Sequence, residues 1–130
     1  MNINFTVFID KILSGEKRQT IRRAGKKWAN VKVGDKLTLY TGLRTKQCRK
    51  LGEAEIEEIL DVRIVTSILN VCYVFVNDTL IRRKELEKLA RKDGFDSGIA
   101  FCKWFFDKYG DDFHGKVIRW KNFITQKEEE

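Results

Sequence analysis

Apolar residues first recur at helical spacing near the N-terminus. Phe5, Phe8, Ile9, Ile12 and Leu13 stand three and four apart, which predicts one amphipathic helix over residues 6–14. Thr6 can cap its start, and Gly15 suits the left-handed position past its end. The period then shortens. "QTIR" and "VKVGDKLTLYTG" bring β-branched and alternating positions, with a Gly-Asp turn between two short runs. In "KLGEAEIEEILDVRIVTS", Ala54 and Ile56 take one face and Glu53, Glu55 and Glu57 the other. The phase drifts near Glu58–Ile59, the mark of a β-bulge. "CYVFVN" adds a strand before an Asn77-Asp78 turn.

Helical spacing returns in "RRKELEKLARKDGF", where Leu86, Leu89 and Ala90 form the apolar stripe and Gly94 ends it. Asp96 or Ser97 can cap the next helix, "GIAFCKWFFDKYG", which is expected to bury Ile99, Cys102, Phe105, Phe106 and Tyr109. "KVIRWKNF" closes the pattern as a strand. Short strands interrupted by three helices predict an α+β domain on a small curved sheet or barrel. A chain of 130 residues, 42% hydrophobic, is expected to form a single domain over 1–124, followed by a charged tail over 125–130. No apolar run approaches the ~20 residues of a membrane span, and the N-terminus lacks a secretory pattern. The expected location is the cytoplasm, with no membrane contact.

Charge changes this picture. The net charge is +7, unevenly placed. Residues 11–50 hold thirteen Lys or Arg against two acids, whereas residues 51–130 hold thirteen against sixteen. Such an asymmetry points to a polyanionic partner, because phosphate contacts release counterions. Cysteine usage excludes other classes. Cys48, Cys72 and Cys102 are odd in number and lack paired spacing, which argues against a disulfide framework. His114 is the only histidine and there is no CxxC, so neither a zinc site nor any other metal or cofactor is expected. A Ser or Cys triad has only His114 to use as its base. "GEKRQT" is not a P-loop, since the GK[ST] ending is missing.

Three features carry candidate chemistry. In "SGEKRQTIRR" a threonine stands inside a basic run. Alternation along an ideal strand puts Thr20 and Arg22 on one face and Lys17 on the other. Lys17 and Thr20 can meet if the chain bends after Gly15. Asp93 falls on the stripe of Leu86, Leu89 and Ala90, in the last helical turn, where the macrodipole disfavours an acid by roughly 0.3–1 kcal/mol. Such an acid either finds a cation or lies at the rim facing water. The basic loop "YTGLRTKQCRK" places Arg44 and Lys46 beside Tyr40, for phosphates and base stacking or as a solvated loop tip.

The order "ILSG", "GEKRQTIR" (G-x-K-x-x-T-x-R), "VGDKL", "YTGLRTK" and "LARKDGF" resembles the ASCH domain, of the PUA-like group, from about Phe5 to about Phe123. The resemblance implies a small β-barrel of about five to six mostly antiparallel strands, with about three flanking helices and a cleft between sheet and helices. It implies RNA or a nucleoside as partner. One bacterial branch of the family consists of amidohydrolases acting on N-acetylated cytidine. Lys17 and Thr20 match two of that branch's catalytic positions, and Asp93 aligns with its glutamate, one methylene shorter. On this reading Lys17, Thr20 and Asp93 are the candidate catalytic residues. Arg22, Tyr40, Arg44 and Lys46 are the candidate binding residues. Three functions remain open: binding or processing of RNA or a modified nucleoside, deacylation of N-acylcytidine, and a ribonuclease or non-catalytic protein-interaction module.

Overall fold

A computed structural model describes residues 1–126. The described residues form an α+β fold: seven strands in one mixed sheet and three α-helices. In chain order these are β1 (Asn2–Phe5), α1 (Ile9–Leu13), β2 (Gln19–Arg23), β3 (Lys36–Thr41), β4 (Arg49–Thr66) and β5 (Cys72–Val76). The short β6 (Thr79–Leu80), α2 (Arg83–Lys92), α3 (Gly98–Tyr109) and β7 (Asp112–Thr125) follow. A 3-10 turn, Lys26–Trp28, links β2 to the loop before β3.

Two long strands organise the sheet. β4 pairs antiparallel with β7 from Gly52 to Val65. Its other edge carries β3 along the first half and β5 along the second. β1 adds to β3 in parallel, and β2 adds to β7 antiparallel. No ladder joins β1 to β2 among the described residues, so the curved sheet stays open there. The register slips so that Glu57 is the extra residue between Ile56↔Trp120 and Glu58↔Arg119, one position before the expected bulge.

This arrangement divides the interior in two. One cluster gathers Ile3, Phe5, Ile12, Trp28, Leu37, Leu39, Ile56 and Trp120 under the first half of β4. The other gathers Ile21, Val62, Val74, Leu89, Phe101, Phe105 and Phe113 under α2 and α3. Alternate strand residues turned inward supply much of both, and helices complete them: Ile12 of α1 in the first, Leu89 of α2 and Phe101 and Phe105 of α3 in the second.

Four details differ from the sequence expectations. The first helix starts at Ile9, because Asn2–Phe5 pairs with β3 and places Ile3 and Phe5 inward. Val31–Val33 is not a strand: Asp35 accepts from the Lys32 amide at 2.9 Å and Gly34 takes a positive φ, closing a turn. On α3 the buried residues are Phe101 and Phe105, while Ile99 is 78% exposed and Phe106 42%. Apolar residues occur around most of this helix, so the sequence does not determine which face meets the sheet. Finally, Cys72 on β5 and Cys102 on α3 form a disulfide, their Cα atoms 6.2 Å apart. Spacing could not show it, since the partners lie 30 residues apart and meet only when α3 packs against β5. Cys48 is free and exposed. Of the expected tail, Thr125 pairs with Gly52 and the Gln126 amide donates to Leu51 at 2.9 Å; residues 127–130 lie outside the described residues.

Candidate functional site

The opening between β1 and β2 is bordered by the C-terminal end of α2 and one face of α3. α2 starts with Glu85 reaching back to accept the Arg82 amide at 3.0 Å. It ends at Asp93, whose own amide still donates to Leu89 at 3.1 Å. Gly94 then turns the chain with φ +107°. A Cβ there would stand 2.8 Å from the Phe8 ring, so the glycine both permits the turn and makes room for Phe8. Phe8 is itself left-handed, φ 60°, an unfavourable conformation for a bulky residue. Its ring compensates by packing edge-on against Phe95 at 5.0 Å and lying under the ammonium groups of Lys11 and Lys17.

Lys17 precedes β2, in the turn that Gly15 opens with φ +83°. It is 3% exposed. Its Nζ donates to the Asp93 carbonyl and stands 3.5 Å from Asp93 Oδ1. Asp93 is 6% exposed, so this is a buried ion pair rather than a rim contact. Burial holds the lysine below its ordinary value, opposed by the attraction of Asp93. Burial raises the Asp93 carboxyl, opposed first by Lys17 and then by its hydrogen bond from Gln19.

Gln19 went unrecognised in the sequence, although the alternation that separates Lys17 from Thr20 puts Gln19 on the side of Lys17. It is 1% exposed and joins three elements. Its Nε2 donates to Asp93 Oδ1 at 3.2 Å and to the Leu89 carbonyl at 3.4 Å. Its Oε1 accepts from Arg119 Nε at 3.0 Å, and Arg119 in turn pairs with Glu58. A relay therefore runs from the β4–β7 surface to the buried acid.

Thr20 lines the same cleft but its hydrogen bond goes elsewhere. Its Oγ1 accepts from Arg22 Nε at 3.0 Å, as neighbours on one strand face should. Among the described residues no hydrogen bond links Thr20 to Lys17 or Asp93. Arg22 also donates to the Asn4 carbonyl at 2.8 Å, bridging the gap between β1 and β2, and stacks over Phe5 at 4.8 Å. The cavity these groups surround is about 80 Å³, walled by Phe5, Phe8, Trp104, Phe105 and Tyr109 as well. Lys108 overhangs Trp104 at 4.7 Å.

Tyr40, Arg44 and Lys46 do not line this cavity. Tyr40 is half-buried on β3 opposite Lys50, and Arg44 and Lys46 are exposed on the loop after it. The loop is nonetheless tied to the opening, because Asn4 Oδ1 accepts from the Leu43 amide at 2.9 Å. Arg44 and Arg22 share a field: both charges hold Lys27 below its ordinary value, after the larger effect of burial. Among the described residues no three His, Cys, Asp or Glu side chains converge as a metal requires, and no helix is long and apolar enough to cross a membrane.

No family model, curated protein or solved structure matches this chain significantly. Fold and site together define an α+β protein with a buried lysine–aspartate pair behind an aromatic-walled cleft.

Proposed function

We propose that this chain binds a modified nucleoside, free or as an unstacked residue of RNA, with the base in the cleft and the phosphates toward the basic loop. The observation that carries this is the gathering of Lys17, Thr20, Arg22 and Asp93 within a small aromatic cavity. Aromatic walls take the flat faces of a base, and polar groups at the back take its edge. A carboxylate such as Asp93 accepts from an exocyclic amine of the cytosine kind. A cavity of about 80 Å³ is below the ~300 Å³ of drug-sized sites, which matches one ring rather than a strand. Tyr40 stands at the end of β3, and Arg44 and Lys46 lie on the following loop, which the Leu43 amide ties to Asn4; backbone phosphates would pass on that side. We place this activity in the cytoplasm. Thiol buffers there would hold Cys72 and Cys102 as thiols rather than as the bonded pair of this structure, and neither residue lines the cleft. The test is titration with N-acetylcytidine and with short single-stranded RNAs across a salt series. RNA affinity should fall steeply with salt, and further with Arg44→Ala or Lys46→Ala. Absent or salt-independent binding overturns the reading.

One observation favours a second reading, hydrolysis of the acyl amide. Burial lowers the Lys17 amine, which a lysine needs in order to act as a base near neutral pH. Arg22 occupies an acceptor position on Thr20, leaving the hydroxyl proton free to be given away. In this reading substrate binding brings Thr20 within reach of neutral Lys17, directly or through one water, Lys17 takes that proton and Oγ1 attacks the acyl carbon. The C–N bond breaks with the proton passing to the departing cytidine amine, and water then releases the acyl group as a carboxylic acid. Chromatography after incubation with N-acetylcytidine should show cytidine, abolished by Thr20→Ala. Intact substrate at high protein concentration removes this reading and leaves the binding one standing.

A further inference from the structure

A hollow larger than the cleft lies elsewhere among the described residues. A groove of about 560 Å³ runs between α2, α3 and the end of the sheet where β4 turns into β5. Its floor is apolar: Leu86, Ile99, Phe106 and the Cys72–Cys102 pair. Ile99 and Phe106 are the apolar residues that the packing of α3 leaves outside the core. The turn between β4 and β5 forms one end through Thr66 and Asn70, and it presents Ile68 and Leu69, which are 98% and 80% exposed. Apolar surface therefore continues past the groove. That suits an extended occupant better than a small molecule.

The rim is basic and its charges are unspent. Arg83 and Lys103 stand at the edges, with Lys84 and Lys88 further along α2. None of these four has a carboxylate partner among the described residues. The two acids of α2 accept from backbone: Glu85 from the Arg82 amide, and Glu87, which also lines the groove, from the Gly98 amide at 3.0 Å; Glu87 keeps its charge, so among the groove's lining residues the cations outnumber the acids two to one. The face thus offers an aliphatic floor between free cations.

We propose that this groove is a docking site for an acidic amphipathic segment of a partner protein, whose apolar side chains enter the floor and whose carboxylates meet Arg83 and Lys103. Helix-in-groove recognition uses this pairing of apolar anchors with flanking charge. RNA is the less suitable occupant, because most of the floor is aliphatic or sulfur rather than flat aromatic surface.

The test uses the full chain and a fluorescein-labelled peptide of about 18 residues, with leucines on one helical face and glutamates elsewhere. Anisotropy should show saturable binding. Ile99→Glu and Lys103→Glu should each weaken it at least tenfold, whereas the matched charge change Lys32→Glu, in the loop before β3, should not. All three positions are exposed, and circular dichroism checks that each variant folds. The proposal fails if anisotropy stays flat, or if Ile99→Glu binds as tightly as the native chain. It also fails if a peptide of the same composition with its leucines scattered binds equally well, or if a short RNA displaces the peptide at comparable concentration. Either of those two results would make the face a general polyanion surface.

Discussion

α2 and α3 serve two different sites with opposite physics. To the cleft they give Asp93, Trp104, Phe105 and Tyr109; to the groove they give Arg83, Leu86, Ile99, Lys103 and Phe106. Behind the cleft, the buried Lys17, Asp93 and Gln19 are matched, and the chain of contacts runs on through half-buried Arg119 to Glu58. In the groove, the floor is apolar, the cations are unmatched, and a covalent bond ties the walls together. Geometry in a desolvated polar network is fixed by the penalty for breaking any one link. An open apolar groove has no such constraint, and only the Cys72–Cys102 bond, where it is oxidised, ties β5 to α3 there.

The largest way to break this contrast is to remove one charge from the cleft. Asp93→Ala leaves Lys17 buried without its partner, which should lower unfolding free energy by about 3–5 kcal/mol. Replacing both, Lys17→Met with Asp93→Leu, should recover much of that stability while ligand binding stays lost. Urea denaturation of the three proteins decides it; a loss under about 1 kcal/mol for Asp93→Ala would mean that water reaches the pair. On the groove side, Cys72→Ser should cost about 3–4 kcal/mol under oxidising conditions, from the loop that a separation of 30 residues closes. Cys48→Ser, at an exposed and unpaired position, should change stability by less than about 0.5 kcal/mol. Equal effects for the two cysteines would show that the bond is not formed in solution.

The sequence revealed what repeats at a fixed period and concealed what depends on packing. Alternation located Ala54 and Ile56 in the core and a bulge within one residue of Glu57, because a pleated strand has only two faces. The stripe of Leu86, Leu89 and Ala90 put Asp93 on the inward face but left a rim position equally open, and the fold buries it. Phe5 was misplaced in a helix, since spacings of three and four fit its neighbours while its actual partner, Thr41, is 36 residues away. The orientation of α3 was hidden by apolar residues around most of its circumference. Gln19 was hidden because an uncharged amide gives no signal until a carboxylate and a guanidinium are placed on either side of it.

The smallest test reads the cleft through its protons. Lys17 should titrate below the ordinary 10.5, because burial disfavours its charge more than Asp93 favours it. Between that lowered value and 10.5 the unfolded chain holds a proton that the folded chain has released, so stability should rise with pH across the window. Asp93 works in the opposite sense. Raised above 3.8, the folded acid keeps a proton that the unfolded chain has lost, so stability should fall as pH climbs from 3.8 through the folded value. Carbon-13 NMR of the Lys17 side chain separates the two groups. Asp93→Asn keeps the shape of the acid and removes its charge, so the Lys17 titration should move lower still. A Lys17 that fails to move down in Asp93→Asn would show that the acid carries no charge in the pair. A Lys17 that titrates at 10.5 or above would show that the carboxylate rather than desolvation governs the pair. The cleft would then hold a permanent ammonium ion suited to binding an anion, and the hydrolytic reading would lose its base.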